Sequence, residues 1–296
     1  MRNACFVVPI HFPKFNYGLE LIRSYNKYFN DDHLYFVFNS QEDAEYFANL
    51  DRDIKFRFII CPELKSRYMS EEKFLKMQEL FKNSPMQIQY SDSFFYESAV
   101  TEKKFVGMKW IFENTEFENV AAIDADCVFT RNINYSNLFE EHISNATLYG
   151  SFAPDSFNPM IISPFKFFKD QDRLKLYSIT EHCKTYFWFN DLTIFNKQYF
   201  LDFLNYIDYE NTSKDLCMCD FDFIIYAYYL LIKDIYKLEM ININDTNIPA
   251  PLIESQRSLP TDVFKQLFIK YNPMWIMDEI EPEYMNKCFM RVHVDR

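Results

Sequence analysis

Val120-Ala121-Ala122-Ile123-Asp124-Ala125-Asp126-Cys127-Val128-Phe129 is the stretch on which the reading of this chain turns. An apolar run climbs to Ile123, breaks into two aspartates one residue apart, and turns apolar again. That pattern predicts a buried strand whose carboxyl end meets solvent. In an open α/β sheet ligands bind at that end. Residues i and i+2 of a strand share a face, so the carboxylates of Asp124 and Asp126 can converge as the strand frays. Two like charges that close repel, and a divalent cation removes the penalty. Hard oxygen ligands suit Mg²⁺ or Mn²⁺, which keeps open positions for substrate phosphates. The bland alternative is a solvated turn. The apolar strands on both sides and a lysine-bearing helix upstream favour the metal reading.

Working outward, residues 4–10 read as a buried first strand ended by Pro9 and a turn through His11-Phe12-Pro13. Tyr17 to Phe29 has helical spacing, and Leu34 to Phe38 is a second strand. A helix follows, with Asn39 or Ser40 as its cap and Glu42 near its start. Ile54 to Ile60 is a third strand. This β-α-β-α-β opening predicts an α/β fold with a parallel sheet. Ser70 to Asn83 and Thr101 to Glu113 are further helices. The latter carries Lys103, Lys104 and Lys109 and leads into the Asp124 strand, which places the aspartates near mid-sheet.

After Thr130-Arg131-Asn132 the alternation fades and aromatics crowd in, from Phe152 to Phe189. Most are core; a few could line a sugar-binding cleft. Phe189 to Phe195 holds Asn190-Asp191 inside a strand-like run, and a buried polar pair there needs partners. Tyr199 to Tyr206 is helical. Asp220 and Asp222 precede the apolar helix Ile224 to Ile232. One of them is explained as a helix cap, which leaves the other to point elsewhere. Residues 242–258 read as a loop, and 289–296 as a short strand bearing His293.

Composition narrows the function. Only Gly18, Gly107 and Gly150 are present, so no Gly-rich phosphate loop can be written, and metal or basic side chains must hold any phosphate. A net charge of −12 disfavours nucleic acid, whose binding rests on Lys and Arg. The seven cysteines are dispersed. Cys217 and Cys219 form C-x-C without a second pair at zinc spacing, so reduced thiols in a cytoplasmic protein are expected. No signal segment is visible, and Ile224 to Ile232 falls far short of the about 18 residues that span a bilayer. Peripheral membrane contact stays open. His11, His33, His142 and His182 have no spacing that suggests a shared site.

Taken together, these parts resemble a glycosyltransferase of the GT-A fold: a Rossmann-like, nucleotide-binding mixed sheet flanked by helices, with a more irregular acceptor-side half. The resemblance implies one domain over 1–296. Residues 1–132 would be its nucleotide-sugar-binding half and 133–296 its acceptor-binding and C-terminal half. The first strand and its turn, with Pro9 and His11, are similar to the stretch that seats the nucleotide base. The Lys104 helix, then Phe117-Glu118-Asn119-Val120 and Ile123-Asp124-Ala125-Asp126, resemble the stretch through the family's D-x-D. There the aspartates hold Mn²⁺ or Mg²⁺ on the donor diphosphate. Phe189-Asn190-Asp191-Leu192-Thr193 is similar to the F-N-x-G-V segment of the galactosyl-transferring branch related to glycogenin, without its glycine. Asp220-Phe221-Asp222 resembles that branch's D-Q-D, with Phe221 in place of glutamine. His293 stands where the branch has a late histidine metal ligand, although the H-x-x-G-x-x-K-P-W tail is missing.

The implied activity is transfer of a sugar from a nucleotide-sugar donor to a glycan or lipid-linked glycan acceptor. Lys104 is the expected side-chain cation on the phosphates; the alternative for Lys103 and Lys104 is a solvated helix face. Asp220 or Asp222 would be the general base of an inverting reaction. In a retaining one they orient hydroxyls, and Asn190 or Asp191 lies beneath the anomeric carbon. The F-N-D and D-F-D pair leans to retention. Rival readings are a sugar-phosphate nucleotidyltransferase, which lacks its Gly-rich basic loop here, and a non-catalytic sugar-binding module. A Gly-poor composition rich in Lys, Asn, Ile, Phe and Tyr hints at an AT-rich genome, and together with the implied cytoplasmic, signal-free enzyme this suggests bacterial surface-polysaccharide or lipooligosaccharide synthesis.

Overall fold

In the computed structural model, which describes residues 3–61, 99–125, 129, 134–152, 158–182, 184–187, 193–217 and 219–240, the first apolar run forms strand β1 (Ala4–Pro9), every residue of it buried. A single 3-10 turn, Phe12–Lys14, leads into helix α1 (Phe15–Tyr28). Strand β2 (Leu34–Phe38) is again buried throughout. Helix α2 (Gln41–Leu50) starts on Ser40, whose hydroxyl accepts from the Asp43 backbone N–H at 3.1 Å. Strand β3 covers only Arg57–Ile60, shorter than the expected 54–60; Ile54 and Phe56 instead lie against the core as side chains of the approach.

Helix α3 (Ala99–Asn114) crosses over to strand β4 (Asn119–Ala122). The strands order as β3-β2-β1-β4-β7, where β7 is Thr193–Asn196. β1, β2, β3 and β4 run parallel, and β7 closes the edge antiparallel to β4. The aspartate-bearing strand is therefore one place from the centre, which β1 occupies. Helices α4 (Tyr135–Asn145), α5 (Asn158–Ile162), α6 (Asp170–Ile179), α7 (Lys197–Tyr206), α8 (Tyr209–Thr212) and α9 (Asp222–Ile232) fill the second half. A second sheet there has the order β6-β5-β8, built from Thr185–Tyr186, Thr147–Phe152 and Lys237–Met240. This small sheet is where the β-α alternation breaks down.

Alternation along the strands sorts the core into two layers. Cys5 and Val7, Tyr35 and Val37, Val120 and Ala122, and Phe195 share one cluster, with α3, α7 and α9 packed on it. Phe6 and Val8, Phe36 and Phe38, Ala121 and Ile123, and Ile194 share the other, under α1, α2 and α4. A strand buried on both faces needs apolar residues at every position, which is why β1 and β2 read as unbroken hydrophobic runs.

Gly107 lets α3 lie close on the sheet. A Cβ there would stand 2.6 Å from a Val37 methyl and 2.8 Å from one of Val7. Because α3 runs back from the carboxyl edge of the sheet to the start of β4, its first two turns, with Lys103 and Lys104 in the second, are seated at that edge. Among the described residues no helix is long and apolar enough to cross a membrane.

Candidate active site at the carboxyl edge of the sheet

Asp124 stands two residues beyond the last paired position of β4. The ladder runs on by one bond, from the Ile123 N–H to the Val7 carbonyl at 3.0 Å. Alternation puts Asp124 on the face of Val120 and Ala122, the face covered by α3 and α9. Both helices begin here: the Thr101 hydroxyl of α3 donates to the Asp220 carbonyl, just ahead of α9, at 2.7 Å. Two helix N-termini at one point raise the local positive potential.

The Lys104 ammonium lies between two carboxylates, 3.1 Å from Asp124 Oδ1 and 3.1 Å from Asp222 Oδ1. Exposure grades across this bridge, from 4% for the Asp222 side chain through 11% for Lys104 to 41% for Asp124. Burial works to lower the Lys104 pKa, and the charges of Asp124 and Asp222 outweigh it and hold it above the ordinary lysine value. Burial pushes the Asp222 carboxyl up; Lys104 opposes that and the Asp124 charge adds to it. The result is one cation shared by a buried and a half-exposed anion.

Lys103 is also buried. Its Nζ donates to the Ile10 carbonyl at 2.5 Å, and burial lowers its pKa to about 8. A solvated helix face is thus excluded for both lysines. Only Lys109 behaves that way, near Glu113 and Glu210.

Asp220 is placed differently. Its side chain has 0% exposure. Ser163 Oγ donates to Oδ1 at 2.6 Å, the Cys217 N–H donates to Oδ2 at 2.7 Å, and Lys166 forms an ion pair with Oδ2. Service as a base would require that enclosure to open. Neither aspartate caps α9: Phe221 occupies the N-cap and makes no side-chain cap bond, while Asp222 is in the first turn. Ser163 and Lys166 lie on a 3-10 turn, Ser163–Phe167, where residues i and i+3 eclipse. Nothing in the sequence tied that turn to Asp220, and the sequence reading missed it.

Of the other expected residues, Pro9 is buried at the end of β1, and His11 is exposed just beyond it. Asp126, Asn190, Asp191 and His293 lie outside the described residues, as do the helix expected over Ser70 to Asn83, the loop over 242–258 and the strand over 289–296. Cys5, Cys61, Cys217 and Cys219 are free and buried.

Does this donor set suit a divalent cation? Asp124 offers a half-exposed hard oxygen at the edge where a substrate would arrive, which fits Mn²⁺ or Mg²⁺. Among the described residues no group of three His, Cys, Asp or Glu could hold an ion. A cation on Asp124 would therefore draw its other ligands from Asp126 and His293, both outside the described residues, or from substrate oxygens.

No family model matches the chain, and no curated protein sequence matches it. Among solved structures it is similar to core-mannan synthase A (CmsA/Ktr4) of Aspergillus fumigatus in its Mn/GDP form, at 11% identity and a TM-score of 0.46, over 81% of this chain and 73% of that one. It is similar to the bifunctional glycosyltransferase WbbM, at 12% identity and a TM-score of 0.42, over 100% of this chain but 46% of WbbM, about half its length. A third similar structure is mouse xyloside xylosyltransferase 1, at 11% identity and a TM-score of 0.39, over 99% and 97% of the two chains.

Proposed function

We propose that this chain is a metal-dependent glycosyltransferase that moves a sugar from a nucleotide-sugar donor to a glycan or lipid-linked glycan acceptor. The observation that carries the reading is the Lys104 ammonium, held 3.1 Å from Asp124 and 3.1 Å from Asp222 at the carboxyl edge of a parallel sheet. A departing nucleoside diphosphate gathers negative charge. A cation already fixed at the spot, with two helix N-termini behind it, lowers the energy of that charge without reorganising during the reaction.

Asp124 and Asp126 would hold Mn²⁺ or Mg²⁺, with His293 as a further protein ligand, and such an ion supplies additional neutralisation of the leaving group. Asp222 anchors Lys104. Lys103 fixes the Ile10 carbonyl and with it the turn through His11, so that Pro9 and His11 can line the base. Retention of configuration is favoured over inversion. An inverting base must reach the acceptor hydroxyl, whereas Asp220 and Asp222 are enclosed and paired with lysines. Asn190 and Asp191 are then proposed beneath the anomeric carbon. The setting proposed is bacterial surface-polysaccharide or lipooligosaccharide synthesis, in the cytoplasm or at the inner face of the membrane.

The test begins with thermal melts. Mn²⁺ with a nucleoside diphosphate should raise the Tm of the wild type, and Asp124→Ala should lose that rise while still folding. An Asp124→Ala protein that keeps the full shift removes the metal role. Product analysis then separates the enzyme classes: release of nucleoside diphosphate supports glycosyl transfer, and release of pyrophosphate supports nucleotidyl transfer. Binding of glycans with indifference to EDTA and no turnover would favour a sugar-binding module.

A further inference from the structure

We propose that the side-chain amide of Asn39 reads the nucleotide base, its Oδ1 accepting an N–H of the heterocycle. This rests on the nucleotide-sugar reading above and adds a specificity residue that the reading does not use. Asn39 directly follows β2. Its Oδ1 is buried and has no hydrogen-bond partner among the described residues. A buried acceptor left unmatched destabilises the free protein, and native folds rarely keep one without a reason. The usual reason at this position, capping of the next helix, does not apply. The Ser40 hydroxyl already caps α2 through the Asp43 N–H.

Location supplies the second argument. Pro9 pairs with Val37, and the ladder continues through the Ile10 N–H to the Val37 carbonyl and the Cys61 N–H to the Phe38 carbonyl. Two residues past Val37, alternation puts Asn39 on the face of Tyr35 and Val37, which is also the face of α3 and Asp124. On the other side of β1, Val7 pairs with Ala122, so Asp124 stands level with Pro9. Asn39 and Asp124 therefore flank β1 from its two neighbouring strands. Adjacent strands lie about 4.8 Å apart, and Asn39, level with His11, stands two residues further along than Asp124, so the two backbone positions are roughly 12 Å apart. A diphosphate held at Asp124 and Lys104 would leave its base within reach of Asn39. Between them Lys103 grips the Ile10 carbonyl at 2.5 Å, which stiffens the floor of the path.

The chemistry suits the task. An asparagine amide presents one acceptor and two donors in a plane and pairs with base edges through both. Its terminal torsion is soft, so a modest turn brings Oδ1 from its buried position toward an arriving N–H. The doubly esterified diphosphate of a nucleotide sugar is fully ionised at neutral pH and has no donor to offer it.

Calorimetric titration of the full chain with Mn²⁺ present tests this, using UDP, GDP, CDP, ADP, ribose 5-phosphate and pyrophosphate. The wild type should prefer one of the four nucleotides by ten-fold or more. Asn39→Ala should lose at least ten-fold for that nucleotide and narrow the spread, while ribose 5-phosphate and pyrophosphate stay within two-fold. Asn39→Asp, which keeps an acceptor, should keep most of the preference. The apo Tm of Asn39→Ala should hold or rise, since it removes an unmatched polar atom. Should Asn39→Ala fail to fold, Asn39→Ser carries the same comparison. Equal wild-type binding of all four nucleotides, or equal losses for the nucleotide and for pyrophosphate or ribose 5-phosphate in Asn39→Ala, overturns the assignment and leaves the glycosyltransferase reading standing. No binding of any of the six by the wild type overturns both.

Discussion

Replacing Lys104 by methionine is the sharpest test of how the edge of the sheet is held together. Methionine keeps the length and the hydrocarbon stem and removes the charge. Asp222, with 4% of its side chain exposed, then sits in the core without its cation. Breaking a buried pair from one side costs about 3–5 kcal/mol. The lower end applies here, because Asp124, at 41% exposure, can turn to water and because a lone buried carboxyl can take up a proton. A loss of about 3 kcal/mol corresponds to a fall in Tm of roughly 5 °C in a chain of this size. Asp222→Asn leaves Lys104 with a half-exposed partner and should cost less, about 1–2 kcal/mol. The double variant Lys104→Met/Asp222→Asn removes both charges, so its loss should fall short of the sum by about 1–3 kcal/mol. Urea unfolding of the four proteins, read at constant m, gives the cycle. Strict additivity, or a Lys104→Met protein within about 0.5 kcal/mol of wild type, would show that the bridge carries no energy and that the argument from it is wrong.

Lys166→Met strands Asp220 in the core and should destabilise by about 3–5 kcal/mol; denaturant midpoints equal to wild type would disprove that lock. Gly107→Ala gains up to about 1 kcal/mol of helix propensity, but its Cβ would meet the Val37 and Val7 methyls, at about 1–3 kcal/mol; net destabilisation by melting is the expected sign. At the opposite edge of the sheet, burial works to raise the Asp31 carboxyl and is outweighed by bonds from Tyr25 and Tyr135 and by the charge of His33, leaving it below the usual carboxylate range. A depressed carboxylate contributes stability above its unfolded pKa that is lost as pH falls through its folded value. Asp31→Asn should therefore flatten the acid limb of the stability curve below about pH 4; an unaltered limb would sink this. Lys103, lowered to about 8 from the ordinary 10.5, acts with the same sign at higher pH. Between those values the unfolded chain holds the proton and the native one does not, so stability rises with pH. Lys103→Met should lose that rise, and retention of the full slope would refute the assignment.

Much of the framework was legible in residue order. Leu34–Phe38 was found as expected, and of the two caps expected, Asn39 or Ser40, the structure uses Ser40, because a strand covered on both faces must be apolar at every position and a polar residue ahead of acidic ones is a strong local start signal. The apolar run before Asp124 marked the carboxyl edge for the same reason. Less was legible where long-range contacts decide. The antiparallel partner of β4 comes from 71 to 77 residues later, and the β6-β5-β8 sheet joins segments that carry no shared local pattern. The sequence reading treated Asp220 and Asp222 as one cluster, yet one is locked by Ser163 and Lys166 while the other faces Lys104.

Residue order alone, through hydrophobic period and helix signals, determined that this chain builds a parallel sheet under helices and that Asp124 stands where one strand runs out. Which charges share a site was decided only by the tertiary structure. Local pattern fixes which way a side chain faces on its own element, but the partner it meets depends on how elements pack, and there Lys104 is 20 residues from Asp124 and 118 from Asp222. Coulomb energy depends on distance in space, to which distance along the chain is blind.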